Sequence, residues 1–306
     1  FVTTIPQYSA LRFFSGIGLA GELGAGITLI SEILPANKRG LGTTVVATIG
    51  VLGATCGGFM VEHFDWRTCY IAGGVLGLAL LLLRVQVSDS SLFNQHRKNS
   101  GAEWGNISIL FKSKNNLLKF LLCIGVGIPI WYVAGLLMNF SPELAREIGV
   151  TDAITAARSI GISYLGLAVG DLLSGLLSQK LESRIQTMKV FMFFCIIFIG
   201  IILFTSGNHS EKYYYFWCFM IGVSAGYWAM FITIAAEQFG TNIRATVATS
   251  VPNFVRGSVI PMSLLFKSLK NNYSILNSIV VVGVIVFTIA LISVFYLPET
   301  FHKDLN

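Results

Sequence analysis

The sequence predicts an all-α protein that crosses a membrane several times. Hydrophobic residues make up 54% of its 306 residues, charged residues make up only 12%, and the mean hydropathy is +0.71. In soluble domains roughly a quarter of all residues are charged. The apolar residues also recur in blocks of about 20, which is the length an α-helix needs to cross a hydrocarbon core of about 30 Å. A helical membrane protein is therefore predicted, and an ordinary soluble domain is excluded.

Apolar blocks interrupted by proline, glycine, asparagine and charged residues predict nine membrane spans. In chain order they cover about residues 10–34, 43–63, 67–84, 117–140, 156–180, 187–206, 213–239, 246–266 and 276–297. A long hydrophilic stretch, 85–116, separates the first three spans from the last six. We expect it to be a loop between two helical bundles, 1–84 and 117–306.

Lysine and arginine are shared unevenly between the connections on the two sides, which predicts the orientation of the chain. The richer side includes Lys38, Arg39, Arg84, Arg97, Lys112, Arg184 and Lys303. Because cytoplasmic connections carry the excess of positive charge, we expect this side, the 85–116 loop and Asn306 to be cytoplasmic. We expect the chain to be a multi-pass protein of the cytoplasmic (inner) membrane of a bacterium.

The remaining composition argues against several other classes of protein. The net charge of +6 is spread over short connections and is not clustered with aromatic residues, which disfavours nucleic-acid binding. The five cysteines lie in or beside apolar blocks without a CxxC pair, and the four histidines lie at block ends or in connections. We therefore expect no disulfide, no metal, no cofactor and no enzymatic activity.

An internal repeat is the most informative pattern in the chain. The same offset of 205 residues separates Glu32 from Glu237 and Arg39 from Arg244. An asparagine lies between the glutamate and the arginine in each copy. The offset contains six predicted spans, so the repeating unit is a bundle of six helices. Only half of a first bundle precedes the linker, and the chain begins at Phe1. We expect about three further spans to precede it in a longer protein.

Several strings resemble the major facilitator superfamily, whose two six-helix repeats are joined by a cytoplasmic loop. Residues 12–40 resemble the fourth helix and the following loop of its metabolite:proton symporter family, whose members carry proline, betaine, citrate and 2-oxoglutarate. Residues 66–93 resemble the sixth helix and the following turn of that family, and 297–300 resemble the ending after the twelfth helix. The resemblance implies the major facilitator fold, with the nine spans corresponding to helices 4–12.

Some residues depart from the family patterns. The usual Gly-Gly-Glu is Ala20-Gly21-Glu22, and residues 175–184 are a degraded copy of the second loop signature. The string Gly53–Gly58 resembles a motif of proton antiporters, although Ala54 stands where that motif has proline. This string supports export as an alternative to uptake.

Ionisable residues inside membrane spans are costly, so they are interpreted first as functional. Glu22 is either a proton or solute site or the buried partner of an arginine. Arg256 is expected to bind a solute carboxylate, because a guanidinium group suits that anion. Asp171 is expected to pair with Arg256 or to lie at the seam between the halves, with proton exchange as an alternative. Arg12 is a proton-coupling candidate by resemblance or an anchor at the membrane surface.

Aromatic and amide residues are expected to shape a solute cavity. They are Trp131, Tyr132, Asn139, Tyr227, Trp228 and Asn253. Most aromatic residues of membrane proteins pack in the interior or lie at the interface, so each alone is a weak signal. Tyr227 and Trp228 lie deep in their span and are the strongest of the group.

Charged residues at helix ends are expected to form a gate. The resemblance implies salt bridges at Glu32 with Arg39 and at Glu237 with Arg244, which form and break as the two halves rock. Arg184, in the degraded loop signature, belongs to the same group. The alternative is that these residues only cap helices and set the topology.

These features predict a secondary active transporter. The leading hypothesis is proton-coupled uptake of a small carboxylate, amino acid or betaine by alternating access, with the solute, protons and lipid as partners of a monomer. One alternative is a proton-coupled exporter. The other is a non-transporting sensor built on the same frame.

Overall fold

The computed structural model describes residues 2–34, 36–84, 108–205 and 207–301. Within these ranges the regular structure is helical, apart from an isolated bridge between Val150 and His209. The predicted all-α fold is confirmed.

The helices, numbered in chain order, are α1 (Ile5–Ile33), α2 (Ala36–His63), α3 (Trp66–Arg84), α4 (Ser108–Lys112), α5 (Lys114–Trp131), α6 (Ser141–Glu147), α7 (Ala156–Leu181), α8 (Arg184–Phe204), α9 (Glu211–Ala225), α10 (Trp228–Glu237), α11 (Thr241–Gly257), α12 (Val259–Lys270) and α13 (Ile275–Tyr296). A π-helical segment, Tyr132–Leu137, continues α5. Five of the helices follow a serine or threonine whose side-chain oxygen accepts a free backbone N–H of the first turn. These caps are Thr4, Thr155, Ser183, Ser210 and Ser274.

Seven segments of the described chain are long and apolar enough to cross a membrane. They are Gly42–His63, Trp66–Arg84, Lys114–Leu137, Ala156–Leu181, Arg184–Phe204, Glu211–Glu237 and Ile275–Tyr296. Each overlaps one of the nine predicted spans. The helical membrane fold is therefore confirmed, and the number nine stays a prediction.

The two other predicted spans have a different status. Span 10–34 lies in α1, several of whose side chains lie outside the described part of the chain. Span 246–266 is divided at Ser258 between α11 and α12. The polar residues of α11 make it less apolar than a membrane-crossing helix normally is.

The structure adds detail to two predicted segments. Span 213–239 matches one membrane-crossing segment, Glu211–Glu237, which contains two helices, because α9 ends at Ala225 and α10 begins at Trp228. Part of the predicted 85–116 loop, residues 85–107, lies outside the described residues. Its remainder is mostly helical, because α4 covers Ser108–Lys112 and α5 begins at Lys114. Leu110 of α4 is completely buried in the apolar core.

Helix α7 packs between α2 and α9, and glycines allow both contacts. A Cβ atom added to Gly58 of α2 would lie 2.9 Å from the Cα of Gly161 of α7. A Cβ atom added to Gly170 would lie 2.1 Å from the carbonyl oxygen of Val223 in α9. Larger residues would force these backbones apart.

Helix ends collect at two faces of the molecule. The Arg184 face contains the start of α8 and the ends of α10 and α13, and the Glu143 face, at the opposite end, contains α6. Two apolar clusters fill the interior between these faces, and Trp131 packs against both. The candidate solute site lies where the two clusters meet.

Candidate functional site

Arg256 lies in the last turn of α11, near the junction of the two apolar clusters. Its side chain is half-buried, and its Nη1 atom donates a hydrogen bond to Oδ1 of Asn253 over 3.3 Å. A cation in this setting is stabilised only if ring faces, polar groups, water or an anion meet it. The groups around Arg256 therefore indicate what the site binds.

Two indole rings lie beside the guanidinium group. The Cζ atom of Arg256 is 5.9 Å from the ring centroid of Trp131 and 5.5 Å from that of Trp228. The two rings meet edge to face, with their centroids 6.4 Å apart. Because aromatic faces attract cations, the rings help to hold the charge at this position. We call Trp131, Trp228, Asn253 and Arg256 the Arg256 cluster.

The Arg256 cluster is joined to α1 through Asn253. The Nδ2 atom of Asn253 donates to the carbonyl oxygens of Ala20 and Thr249, both over 2.8 Å. Glu22 follows Ala20 in α1 by two residues, and its side chain lies outside the described residues. Among the side chains that the structure describes, no carboxylate forms an ion pair with Arg256.

The expected pairing of Asp171 with Arg256 is corrected. Asp171 is completely buried in α7, and its Oδ1 atom accepts a hydrogen bond from the backbone N–H of Ala229 over 3.1 Å. The break between α9 and α10 explains this partner, because the first N–H groups of a helix have no acceptor within their own helix. Asp171 therefore lies at the start of α10.

Three predicted cavity residues have other contacts. The hydroxyl groups of Tyr132 and Tyr227 donate to the carbonyl oxygens of Ile279 and Val126 over 2.9 and 3.2 Å, and both tyrosines are fully buried. Asn139 is exposed and donates to the carbonyl oxygen of Gly135, in its own segment, over 2.8 Å. The two tyrosine contacts connect separate segments, and the structure does not bring the three residues into the Arg256 cluster.

Arg12 lies in an exposed aromatic group at the start of α1. Its guanidinium carbon is 6.0 Å from the ring centroid of Tyr70, whose hydroxyl group is 3.0 Å from that of Tyr8. An open cavity of about 390 Å³ adjoins Tyr8, Tyr70 and Trp66. These contacts suit the surface-anchor interpretation of Arg12, and its role in proton coupling stays a prediction.

Arg184 and Glu237 form a two-pronged salt bridge at the Arg184 face. The Nε and Nη2 atoms of Arg184 donate to the two carboxylate oxygens of Glu237, each over 2.8 Å. Only 11% and 13% of the two side chains are exposed. Thr300 donates its hydroxyl to the same carboxylate over 2.7 Å. The structure thus pairs Glu237 with Arg184 and not with Arg244, because the start of α8 reaches the end of α10.

Glu299 caps the start of α8 beside this salt bridge. It accepts hydrogen bonds from the backbone N–H groups of Arg184 and Ile185 over 3.1 and 3.2 Å and from the hydroxyl of Ser183. Partial burial opposes ionisation of Glu299, but these bonds together with the N–H of Thr300 outweigh it and lower its pKa below the ordinary 4.5. We call Arg184, Glu237, Glu299 and Thr300 the Glu237 network.

The 297–300 string predicted a family resemblance, and the role of Glu299 and Thr300 in the network was missed. The acidic residue and the threonine are visible in the sequence, but their partners lie 63 to 116 residues away. The other predicted gate residues are less informative. The side chains of Glu32 and Arg39 lie outside the described residues, and Arg244 lies in the first turn of α11.

A family model described as Major Facilitator Superfamily matches residues 1–264. The cis,cis-muconate transport protein of Acinetobacter baylyi is 26% identical over 310 residues, covering 96% of this chain and 72% of the relative. The probable 4-methylmuconolactone transporter of Cupriavidus pinatubonensis is 24% identical, covering 98% of this chain and 71% of the relative. The 4-hydroxybenzoate transporter of Pseudomonas aeruginosa is 34% identical over 102 residues, covering 31% of this chain and 23% of the relative.

Proposed function

The chain belongs to the Major Facilitator Superfamily, and we propose that it carries small planar carboxylates across the membrane with Arg256 as the residue that binds the carboxylate. One observation carries the proposal: a half-buried guanidinium lies beside two indole rings, and none of the described carboxylates is paired with it. The transporter class follows from the family, and the solute and its binding residue are our inference.

A solute carboxylate is the counter-charge that this guanidinium suits best. The planar fork of arginine donates two parallel hydrogen bonds to a carboxylate, and such charge-assisted bonds are stronger than neutral ones. The neighbouring side chain on α11 is the amide of Asn253, which orients the fork over 3.3 Å without neutralising it. The solute would then supply the negative charge.

The ring geometry favours a flat solute over a compact or cationic one. Trp131 and Trp228 present two large aromatic surfaces beside the charge, and a conjugated carboxylate stacks on such surfaces. A quaternary ammonium group would meet the positive charge of Arg256 in the same place. Betaine is therefore the weakest of the solutes considered from the sequence, whereas cis,cis-muconate and 4-hydroxybenzoate, which two relatives are named for, fit both requirements.

Transport would proceed by alternating access, with the solute bound between two bundles. We place these bundles at 1–84 and 117–306, which meet where α2 packs on α7. The Arg184–Glu237 salt bridge would close the Arg184 face, and it would break when that face opens. The excess of lysine and arginine in the adjoining connections supports a cytoplasmic position for this face.

Proton-driven uptake is proposed as the direction and coupling. Glu22 is the first candidate for proton exchange, because α1 adjoins the Arg256 cluster at Ala20. The exporter alternative loses part of its support, since Gly58 of the antiporter-like string allows the close contact of α2 with α7. Accumulation driven by an inward proton gradient in proteoliposomes of the intact protein, lost in Glu22→Gln, is the expected result. Unchanged accumulation in Glu22→Gln would move the proton site elsewhere.

The solute class is tested by binding of matched pairs to the purified intact protein. We expect cis,cis-muconate to bind more tightly than adipate, its saturated counterpart, and benzoate more tightly than cyclohexanecarboxylate. The expected difference is about three- to tenfold, since aromatic contacts contribute about 0.5–1.5 kcal/mol beyond burial. Equal affinities within each pair would reject planarity as the basis of selection. Tighter binding of betaine than of all four acids would reject the proposed solute class.

A further inference from the structure

A buried carboxylate meets the broken helix from which the solute site is built. Asp171 has no exposed surface, its Oδ1 atom accepts the N–H of Ala229, and its Oδ2 atom has no hydrogen-bond partner in the described structure. Asp171 takes no part in the proposed binding of the solute. An ionisable side chain in this position needs a reason to be there.

The break itself is built by close contact of two backbones. A Cβ atom added to Gly226 would lie 2.5 Å from the Cα of Gly170 in α7. The chain turns tightly at this point, because the N–H of Gly226 bonds to Val223 and that of Tyr227 bonds to Ala225. A new helix, α10, therefore begins after the turn, and its first N–H groups require acceptors from another segment.

Asp171 is next to Gly170 in the sequence, so the residue that allows the contact and the residue that caps the new helix are adjacent. A carboxylate at a helix N-terminus is also favoured by the helix dipole. The protein thus places its own acceptor oxygen at this positive helix end. The solute carboxylate is left with Arg256 as its partner.

The start of α10 decides where one wall of the solute site lies. Trp228 is the first residue of α10, directly before Ala229, and its ring lies 5.5 Å from the guanidinium carbon of Arg256. A shift of the helix start would therefore move the indole ring relative to the cation. The N–H group that Asp171 caps and the indole ring beside Arg256 therefore belong to adjacent residues.

We infer that Asp171 is a positioning residue for the solute site: by accepting the N–H of Ala229, it holds the start of α10 where Trp228 lies against Arg256. The inference rests on the proposed function in that it takes the Arg256 cluster as the solute site. The role requires an oxygen acceptor at this position and does not require exchange of a proton.

Two substitutions distinguish a role of Asp171 as a hydrogen-bond acceptor from a role as an acid that exchanges a proton. Asp171→Asn keeps an oxygen acceptor of the same shape, whereas Asp171→Leu keeps the branching, is larger and has no acceptor. Ser178→Ala, at another fully buried polar residue of α7, is the matched control. Should the Leu variant fail to accumulate in the membrane, Asp171→Ala removes the acceptor with less bulk.

The first measurement needs no solute. The fluorescence of Trp228 is obtained as the difference between each variant and the same variant carrying Trp228→Phe. We expect Asp171→Asn and Ser178→Ala to match the parent protein. Asp171→Leu is expected to shift the Trp228 emission and to increase its quenching by acrylamide.

The second measurement is the affinity for cis,cis-muconate and benzoate. Losing a hydrogen bond to a charged group shifts an equilibrium by about tenfold or more, so we expect at least about tenfold weaker binding in Asp171→Leu and less than about threefold change in Asp171→Asn. Parent-like fluorescence and affinity in Asp171→Leu would overturn the inference. Loss of proton-driven accumulation in Asp171→Asn, with solute exchange and Trp228 emission intact, would overturn it in favour of proton exchange. If the parent protein binds neither acid, the proposed function fails and the fluorescence still decides the positioning role.

Discussion

Arg184 and Arg256 show what the protein does with two guanidinium groups in similar surroundings. Each lies beside aromatic rings, since the Cζ atom of Arg184 is 5.4 Å from the ring of Phe301 and that of Arg256 is 5.5 Å from the ring of Trp228. Arg184 has both carboxylate oxygens of Glu237 at 2.8 Å. Arg256 has an amide oxygen at 3.3 Å and no carboxylate among the described side chains.

The difference separates a structural contact from a binding site. A guanidinium whose counter-charge belongs to the protein links two helices and can change only when those helices move. A guanidinium that is oriented by an amide and by ring faces keeps its charge available to a ligand. We therefore expect the same substitution to change mainly the Tm at Arg184 and mainly the solute affinity at Arg256.

The largest expected effect is on the stability of the Arg184–Glu237 pair. Removing one partner of a buried ion pair leaves the other charge uncompensated, which costs about 3–5 kcal/mol. Because about a tenth of each side chain is exposed, we expect Arg184→Gln to lose about 3 kcal/mol and to lower the Tm of the purified protein clearly. Glu237→Gln should behave alike.

The matched control is the exposed pair of Arg158 and Glu211, whose side chains are 44% and 38% exposed and whose charged atoms lie 3.6 Å apart. Surface pairs contribute about 0–1 kcal/mol, so Arg158→Gln should change the Tm little. Equal Tm changes in Arg184→Gln and Arg158→Gln would remove the distinction between the network and a surface pair.

The next effect is on solute affinity and applies to Arg256. Arg256→Lys keeps the positive charge but loses the two-pronged geometry, and each charge-assisted bond is worth about 1.5–3 kcal/mol. We expect at least about tenfold weaker binding of cis,cis-muconate with an unchanged Tm. Arg184→Lys should do the reverse and lower the Tm without changing affinity. Normal affinity in Arg256→Lys would end the carboxylate-anchor proposal.

The sequence predicts the helical membrane fold because hydropathy depends on local composition. Seven apolar segments, from Gly42–His63 to Ile275–Tyr296, stand out by length and composition alone. Gly222 and Gly226 indicate that the span around them approaches a neighbour or bends, but the neighbour that Gly226 meets, Gly170, lies more than fifty residues earlier. Gly226 is visible in the sequence, but its neighbour is not.

The candidate site shows the same limit. The types of Arg256, Trp131 and Trp228 indicated a solute contact, and the structure brings these three together from separate helices. Glu237 was expected to pair with Arg244 and Asp171 with Arg256, whereas in the structure Glu237 meets Arg184 and Asp171 meets a backbone N–H. Residue type indicates which chemistry is available, and only packing decides the pairs.

A smaller effect is expected at the ring wall of the Arg256 cluster. Trp228→Leu removes a ring that attracts the guanidinium and stacks on the solute, and a cation–π contact is worth about 0.5–2 kcal/mol. We expect about three- to tenfold weaker binding of cis,cis-muconate and an intermediate result for Trp228→Phe. The control is Trp217→Leu, whose half-buried ring packs against Phe198 and the exposed Phe216, away from the Arg256 cluster. Equal losses in both Leu variants would mean that packing, and not the site, determines the affinity.

The smallest effect concerns pH and sharpens the contrast from the side of the Glu237 network. Hydrogen bonds from Ser183, Thr300, Arg184 and Ile185 overcome the opposing effect of burial and hold the pKa of Glu299 below 4.5. A carboxyl whose pKa is lowered on folding stabilises the protein fully above its unfolded pKa and loses that contribution as the pH falls through its folded pKa. The loss should therefore occur below about pH 4.5 and not between pH 7 and 5.

Glu299→Gln tests this sign directly. The variant should have a lower Tm than the parent at pH 7, and the gap between the two should close as the pH is lowered below 4.5, because the parent then carries a neutral carboxyl too. Since Glu299 is mostly exposed, solvent screening keeps the gap small. Glu62→Gln, at an exposed carboxylate near the end of α2, should leave the Tm unchanged over the whole range. A gap that widens on acidification would mean that Glu299 is stabilised in its protonated form, and its place as an ionised cap at the start of α8 would be wrong.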